Sequence, residues 1–295
     1  MLFLSNDVLL FRFPAVHPQA NLAVSFQRTF RVPEDGGTYP KPRALGRFPL
    51  RLVDDFPRKT PPAWKEHGGI MLPIYRSEAL WINLEPGSTV FSGTPYPFAV
   101  KVAAGKINAV TGGPWREDLN AAEQDYLVHP GQECIDGFLG PDGRARQFSA
   151  EFLGRGATRE EQVTGKARYG GMQIAVWPMK RESYEEKIIP DRKRSRVAEP
   201  SAAFAADMGL ARGGNIHQEV LADPFGPEVW DTENKLRCFI HLCDAWLWEH
   251  MTGEAPPDVP PKPAEYQAEG LPWLPVEYEE PITDSPEPPP GSSIH

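Results

Sequence analysis

Ala99-Val100-Lys101-Val102-Ala103-Ala104-Gly105-Lys106-Ile107-Asn108-Ala109-Val110 is the stretch that decides the fold class. Two short apolar runs, 99–102 and 107–110, flank Ala103-Ala104-Gly105-Lys106, and a short break containing glycine between such runs marks a β-hairpin. The Gly105-Lys106 pair also invites comparison with a phosphate-binding loop. That comparison fails, because Ile107 stands where a Ser or Thr should hold magnesium and Val100 stands where the first glycine belongs. No G-x-G-x-x-G follows a strand and no serine sits in a G-x-S-x-G elbow, so dinucleotide and α/β-hydrolase sites have no support in the sequence.

The same short-period pattern extends in both directions. Leu22, Val24 and Phe26 alternate with Ala23 and Ser25. Residues 135–139 and 145–152 flank Gly140-Pro141-Asp142-Gly143, a second hairpin signal, and Gly170-Gly171 launches a strand over 172–177 that Pro178 stops. Near the N-terminus, Leu2, Phe3, Leu4, Val8, Leu9 and Leu10 are expected to form core strands. Frequent Pro and Gly punctuation at short intervals predicts a mainly β protein, a β-sandwich or irregular barrel with a few short helices, with α+β as the alternative class. The clearest helix begins after Asp244, runs over 245–251 behind a strand at 236–242, and ends at Gly253. Thr158 and Glu161 have capping-box spacing, and the alanine-rich stretch 201–208 suggests a third helix after the charged run 180–196.

At 295 residues with 40% apolar composition, the chain can bury a sizeable core in one large domain or two small ones. No window approaches the roughly 18 apolar residues of a spanning helix. The apolar N-terminus is interrupted by Ser5, Asn6, Asp7 and Arg12 and lacks the marks of a secretory signal, so a soluble, cytoplasmic protein without membrane association is expected. Three cysteines, Cys134, Cys238 and Cys243, are too few and too unevenly placed for a disulfide framework.

The net charge of −9 is unevenly distributed. From Glu254 onward nine acidic residues face the single Lys262, so this segment carries −8 of it and the body is near neutral. A neutral body offers no field for phosphates, which argues against a nucleic-acid partner. Twelve of the 33 prolines fall between Pro256 and Pro290, a composition that favours extended chain. The expected organisation is therefore a β-rich domain over 1–253, an acidic proline-rich docking arm over 254–280 and a disordered tail over 281–295. Tyr266, Leu271, Trp273, Leu274 and Tyr278 are large apolar groups that a solvated linker does not need. They predict that residues 264–278 lie as an arm on the body or on a neighbouring chain.

Residues with chemical potential are scattered. Cys238, His241 and Cys243 are the densest group of metal-ligand types, but strand alternation places His241 and Cys243 on one face and Cys238 on the other, and no second pair completes a zinc set. No metal and no cofactor is expected. His129, Cys134 and Asp136 contain the residue types of a thiol nucleophile and its base, on what reads as a loop. His217 with Glu219, and Glu160-Glu161, could exchange protons if a pocket gathered them. Trp64, Trp81, Trp115, Trp177, Trp230, Trp246 and Trp248 read as core rather than a ligand cage. The basic run Arg192-Lys193-Arg194-Ser195-Arg196 is a candidate partner for the acidic tail, of its own chain or of a neighbour.

Several stretches carry a resemblance: Tyr96-Pro97-Phe98-Ala99-Val100-Lys101-Val102 with Gly105-Lys106-Ile107-Asn108-Ala109-Val110, then Gln124-Asp125-Tyr126, Arg146-Gln147-Phe148, Glu161-Gln162-Val163-Thr164-Gly165 and Gly270-Leu271-Pro272-Trp273. From about residue 45 to 273 the chain resembles a family of bacterial and fungal proteins without assigned activity, sometimes labelled integral membrane proteins, a label at odds with the absence of a spanning segment. The resemblance transfers no catalytic residue. It implies that 270–273 belongs to the structured protein and that the stretch around Arg192 is variable.

Together these readings predict a non-catalytic interaction or structural protein. Tyr266, Leu271 and Trp273, with Arg192, Lys193 and Arg194, are its candidate partner-binding residues. The partner is itself or another protein reached through the arm, and a homo-oligomer formed by arm exchange is the expected assembly. The competing expectation is a hydrolase or transferase using His129, Cys134 or His241, and a third is a regulatory module switched by the basic loop and the acidic tail.

Overall fold

The computed structural model describes residues 1–35, 37, 39–87, 95–120, 122–140, 142–151, 170–189 and 219–273. Its strands, in chain order, are β1 (Leu2–Ser5), β2 (Val8–Arg12), β3 (Asn21–Phe30), β4 (Ala44–Arg47), β5 (Arg51–Leu52), β6 (Ile70–Pro73), β7 (Glu78–Pro86), β8 (Phe98–Ala104), β9 (Ile107–Asn108), β10 (Leu127–His129), β11 (Cys134–Ile135), β12 (Gly137–Leu139), β13 (Ala145–Ser149), β14 (Met172–Pro178) and β15 (Leu236–Cys243). The protein is mainly β, and these strands form two sheets. One has the order β1-β2-β3-β7-β13-β12, with β4 on β3 and β11 on β7; the other runs β10-β8-β14-β15-β6-β5, with β9 on β8. All pairings are antiparallel except β15 with β6.

Alternation explains why the sheets face each other. In the first, Leu22, Val24 and Phe26 of β3 stand opposite Pro86, Leu84 and Ile82 of β7. In the second, Val100 and Val102 of β8 stand opposite Val176 and Ile174 of β14, and Ile240 of β15 lies between Met172 and Ile70. Apart from the exposed Pro86, these positions from both sheets merge into one apolar cluster, the arrangement of a sandwich. The hairpin at 98–108 is tighter than its sequence suggests: the first strand continues through Ala104, and only Gly105-Lys106 turn, with Gly105 at φ +57°. Gly171 also sits at positive φ, and a Cβ there would collide with the Ile240 carbonyl, so the double glycine permits close approach of β14 to β15.

The N-terminal run departs from expectation. It forms the β1–β2 hairpin, but Leu2 and Phe3 are exposed because β1 is the sheet edge; Leu9 and Phe11 supply the core contacts. The second predicted hairpin pairs β12 with β13 and stops at Ser149, while Ile135 belongs to the separate short strand β11 on β7. Pro141 of its turn lies outside the described residues, as do Thr158–Glu161, 201–208 and 281–295.

Four short helices accompany the sheets among the described residues: α1 (Pro62–Lys65), α2 (Arg181–Lys187), α3 (Ala245–Thr252) and α4 (Pro263–Ala268). Helix α3 begins and ends as its sequence requires, with the Asp244 carboxylate accepting from Leu247 N at 2.8 Å and Gly253 in the left-handed region at φ +79°. It covers the outer face of the second sheet, where Trp248 and Met251 pack on Met71, Cys243 and Val53. Helix α2 occupies part of the charged run that showed no helical pattern. No helix of the described residues is long and apolar enough to cross a membrane.

Candidate functional site: the seat of the C-terminal arm

The inner stripe of β3 runs Leu22, Val24, Phe26 and then changes character to Arg28 and Phe30 at the end of the sandwich. The opposing stripe of β7 ends likewise, with Leu80 opposite Arg28 and Glu78 opposite Phe30. Phe30, Arg28 and Glu78 are all buried, and the segment that covers this end is the chain beyond Gly253. Tyr266 of α4 is 0% exposed and meets Phe30 edge to face at a centroid distance of 5.0 Å. Its hydroxyl donates to the Ser77 carbonyl and accepts from Arg31 N at 3.1 Å, so its polar tip is satisfied within the apolar seat. Leu271 is buried in the same cluster, Trp273 meets Tyr266 edge to face at 5.2 Å, and Val32, Tyr39 and Leu45 complete the wall. Gln147 of β13 braces the seat, donating to Phe30 O at 2.9 Å and accepting from Val32 N at 2.9 Å.

Helix α4 forms here for local reasons. Pro263 occupies the first helical turn, where its missing N–H costs nothing, and the Glu265 carboxylate accepts from Lys262 N at 2.7 Å. Leu271 N then bonds back to Tyr266 O at 2.9 Å, which folds Leu271 toward the seat. A fully buried aromatic ring removes about 150–250 Å² from water, worth roughly 4–6 kcal/mol at ~25 cal/mol per Å² before the cost of ordering the arm.

A charged cluster lies beside the ring. Arg28 donates from Nε and Nη2 to Glu78 Oε1, pairs through Nη1 with Asp258 Oδ1 at 2.8 Å, and donates from Nη2 to Val259 O at 3.2 Å. Tyr75 contributes twice, its N–H donating to Glu78 Oε2 at 3.3 Å and its hydroxyl to Asp258 O at 2.9 Å. Burial pushes the Glu78 carboxyl up to about 7, against the pull of Arg28 and the Tyr75 N–H, with the Asp258 charge adding to the rise. Toward solvent, Arg43 lies over Phe30 at 5.3 Å and pairs with Glu269, and Arg51 pairs with Glu254 at 3.3 Å.

The residues read as catalytic candidates are held apart. His129 stands opposite Phe98 in the β10–β8 ladder and is turned toward the core; burial lowers its pKa to about 4, and Nε2 finds no hydrogen-bond partner among the described residues. Cys134 alternates with the core-facing Ile135, so it faces away from the core, opposite Asn83. Burial and the neighbouring Asp136 raise its thiol pKa, which keeps it protonated. The Asp136 carboxylate is paired with Lys41 Nζ at 2.6 Å. His241 stacks on Trp64 at 4.4 Å, places Nε2 at 2.9 Å from Gly68 O, and is also lowered by burial to about 4. Cys238 joins the main core while Cys243 packs under α3, and burial pushes the Cys238 thiol up to about 12. Among the described residues no three His, Cys, Asp or Glu side chains gather as a metal site. Arg192, Lys193, Arg194, His217, Glu160 and Glu161 lie outside the described residues; Glu219 is exposed. Of the tryptophans, Trp177, Trp230 and Trp248 are buried, whereas Trp246 is exposed and stacks on His250.

Reasoning from the sequence singles out Tyr266, Leu271 and Trp273 but misses Phe30, Arg28, Glu78, Tyr75 and Asp258. A signal was present: Arg28 and Glu78 each occupy an apolar stripe at a strand end, and opposite charges in two such places invite pairing. No protein-family model, curated protein or solved structure matches the chain.

Proposed function

We propose that this chain is a non-catalytic interaction or structural protein whose working part is the C-terminal arm. The observation that carries the reading is the burial of Tyr266 against Phe30, at an end of the sandwich that the body's own strands leave uncovered. The first part of the arm, 254–262, holds Pro256, Pro257, Pro260 and Pro261, which limit the conformations lost when the arm docks. An arm that fills its own seat can fill the identical seat of a second copy with the same contacts, so exchange of arms is the route to self-assembly. The protonated Cys134, the neutral and core-facing His129 and the stacked His241 support this reading over a thiol or histidine enzyme.

Light scattering over a range of concentrations tests it. The full chain should show a dimer population that grows with concentration, and both Tyr266→Ala and a chain ending at Gly253 should remain monomeric with unchanged near-ultraviolet dichroism of the body. Identical monomeric masses for all three would remove self-assembly through the arm.

A further inference from the structure

We propose that the arm is a proton-controlled latch: Arg28 is shared between Glu78 of the body and Asp258 of the arm, and uptake of a proton by Glu78 tightens the hold on the arm. The inference rests on the arm being the working part of the protein, and adds how its docking is regulated.

The geometry sets the charge balance. Two carboxylates converge on one guanidinium, and Glu78 is 1% exposed while the side chain of Asp258 is 41% exposed. Arg28 comes from β3, and Tyr75, just before β7, supplies its N–H and hydroxyl. Asp258 and Tyr266 come from the arm. Arg31 donates its backbone N–H to the Tyr266 hydroxyl, while its guanidinium pairs with Glu151 at 2.8 Å and Glu34 at 3.3 Å, and Arg76 shares Glu151 at 3.1 Å. With Glu78 ionised, the cluster carries one negative charge too many, and the Glu78 side of it is shielded from water. A proton on Glu78 removes that excess and leaves Arg28 to serve Asp258.

The sign follows from linkage. Glu78 keeps its proton up to about 7 when docked, and because the Asp258 charge of the arm pushes it up, it holds that proton more tightly docked than free. Docking therefore tightens as the pH falls through about 7 and weakens as it rises. Asp258 is one cause of the upward push, so the arm raises the proton affinity of Glu78 and the proton raises the affinity for the arm by the same factor.

Two amides report docking in the full chain: Arg31 N–H, which donates to the Tyr266 hydroxyl, and Leu271 N–H, which donates to Tyr266 O. Hydrogen-exchange protection factors, corrected for intrinsic exchange, should be higher at pH 6 than at pH 8, by at most about tenfold. Glu78→Gln should hold both amides at the pH 6 level at either pH, and Asp258→Asn should shrink the difference between the two. Equal protection at pH 6 and pH 8 in the unmodified chain would overturn the latch, as would an undiminished pH response in either variant. If the amides are protected equally at both pH values while the chain still dimerises through the arm, the latch fails and the interaction reading stands. If they are unprotected at every pH, both fall.

Discussion

Lys101 and Arg28 are both cations drawn out of water onto sheet positions, yet they are held in opposite ways. Lys101 lies on the outer face of β8, 0% exposed, between the rings of Trp115 and Trp177 at 5.4 and 5.7 Å. Its three donors are all used within the body: Asp125 Oδ2 at 2.8 Å, Arg116 O at 3.2 Å and Asp118 O at 2.5 Å. Asn108 reinforces the same loop by donating to Asp125 O at 2.8 Å. Arg28 instead divides its donors between a body strand and an arm whose carboxylate is partly in solvent. One cation with one buried partner is a bolt; one cation with two partners, one on a detachable segment, is a latch. What separates them is whether every group that satisfies the charge belongs to the same rigid unit.

The largest test of that contrast is Lys101→Ala. It leaves Asp125 buried without its cation, which costs about 3–5 kcal/mol, and urea unfolding should show a loss of that size while the Arg31 and Leu271 amides keep their pH response. A loss of under 1 kcal/mol would mean the bolt bears no load. Lys101→Met with Asp125→Asn should recover part of it, since removing both leaves no charge unpaired. Acid provides the second test, and here body and arm should move in opposite directions. His129 is held neutral with its pKa near 4 against an ordinary 6.5, so the unfolded chain binds the extra proton. The stability this provides is present above about 6.5 and is lost as the pH falls toward 4, up to about 3 kcal/mol. His241 is lowered to the same value, so His129→Leu should remove about half of the decline in urea titrations between pH 6.5 and 4, and a decline as steep as in the unmodified chain would show that His129 does not contribute to it. Over the step from pH 8 to 6 the arm should tighten while the body loses only the first part of that stability.

How far the sequence reveals all this depends on the scale at which each feature is determined. The hairpins around Gly105 and at 137–149, the strand stopped by Pro178 and the helix between Asp244 and Gly253 are set by neighbours within a few residues, and alternation or capping exposes them directly. The aromatic anchors stand out because Tyr266 and Trp273 are costly to leave in a solvated acidic segment. The seat itself is less visible. Phe30, Arg28 and Glu78 come together through the β3–β7 register across about 50 residues, and a single strand's pattern cannot show which charge faces which. Helix α4 was hidden by its own prolines: counted as composition they suggest extended chain, whereas Pro263 read by position is a helix start with Glu265 folding back to cap it. The exposure of Leu2 and Phe3 could not be read either, because an edge strand and a central strand share the same alternation and differ only in having one neighbour or two.

The smallest effect discriminates most sharply between a seat held by its ring and one held by its rim. Arg43 and Glu269 form an ion pair across arm and body, with side-chain exposures of 55% and 21%, and the guanidinium also lies over Phe30 at 5.3 Å. Water and salt screen such a pair, and two long side chains must be fixed to make it, so its worth is at most about 1 kcal/mol. Arg43→Ala should therefore lower the protection of Leu271 N–H less than about fivefold, with the difference vanishing in high salt, and should leave the pH response intact because Arg43 is not a partner of Glu78. A larger loss would shift the hold on the arm from the buried ring and the shared Arg28 to the surface charges. In that case salt rather than protons would be the stronger control of docking.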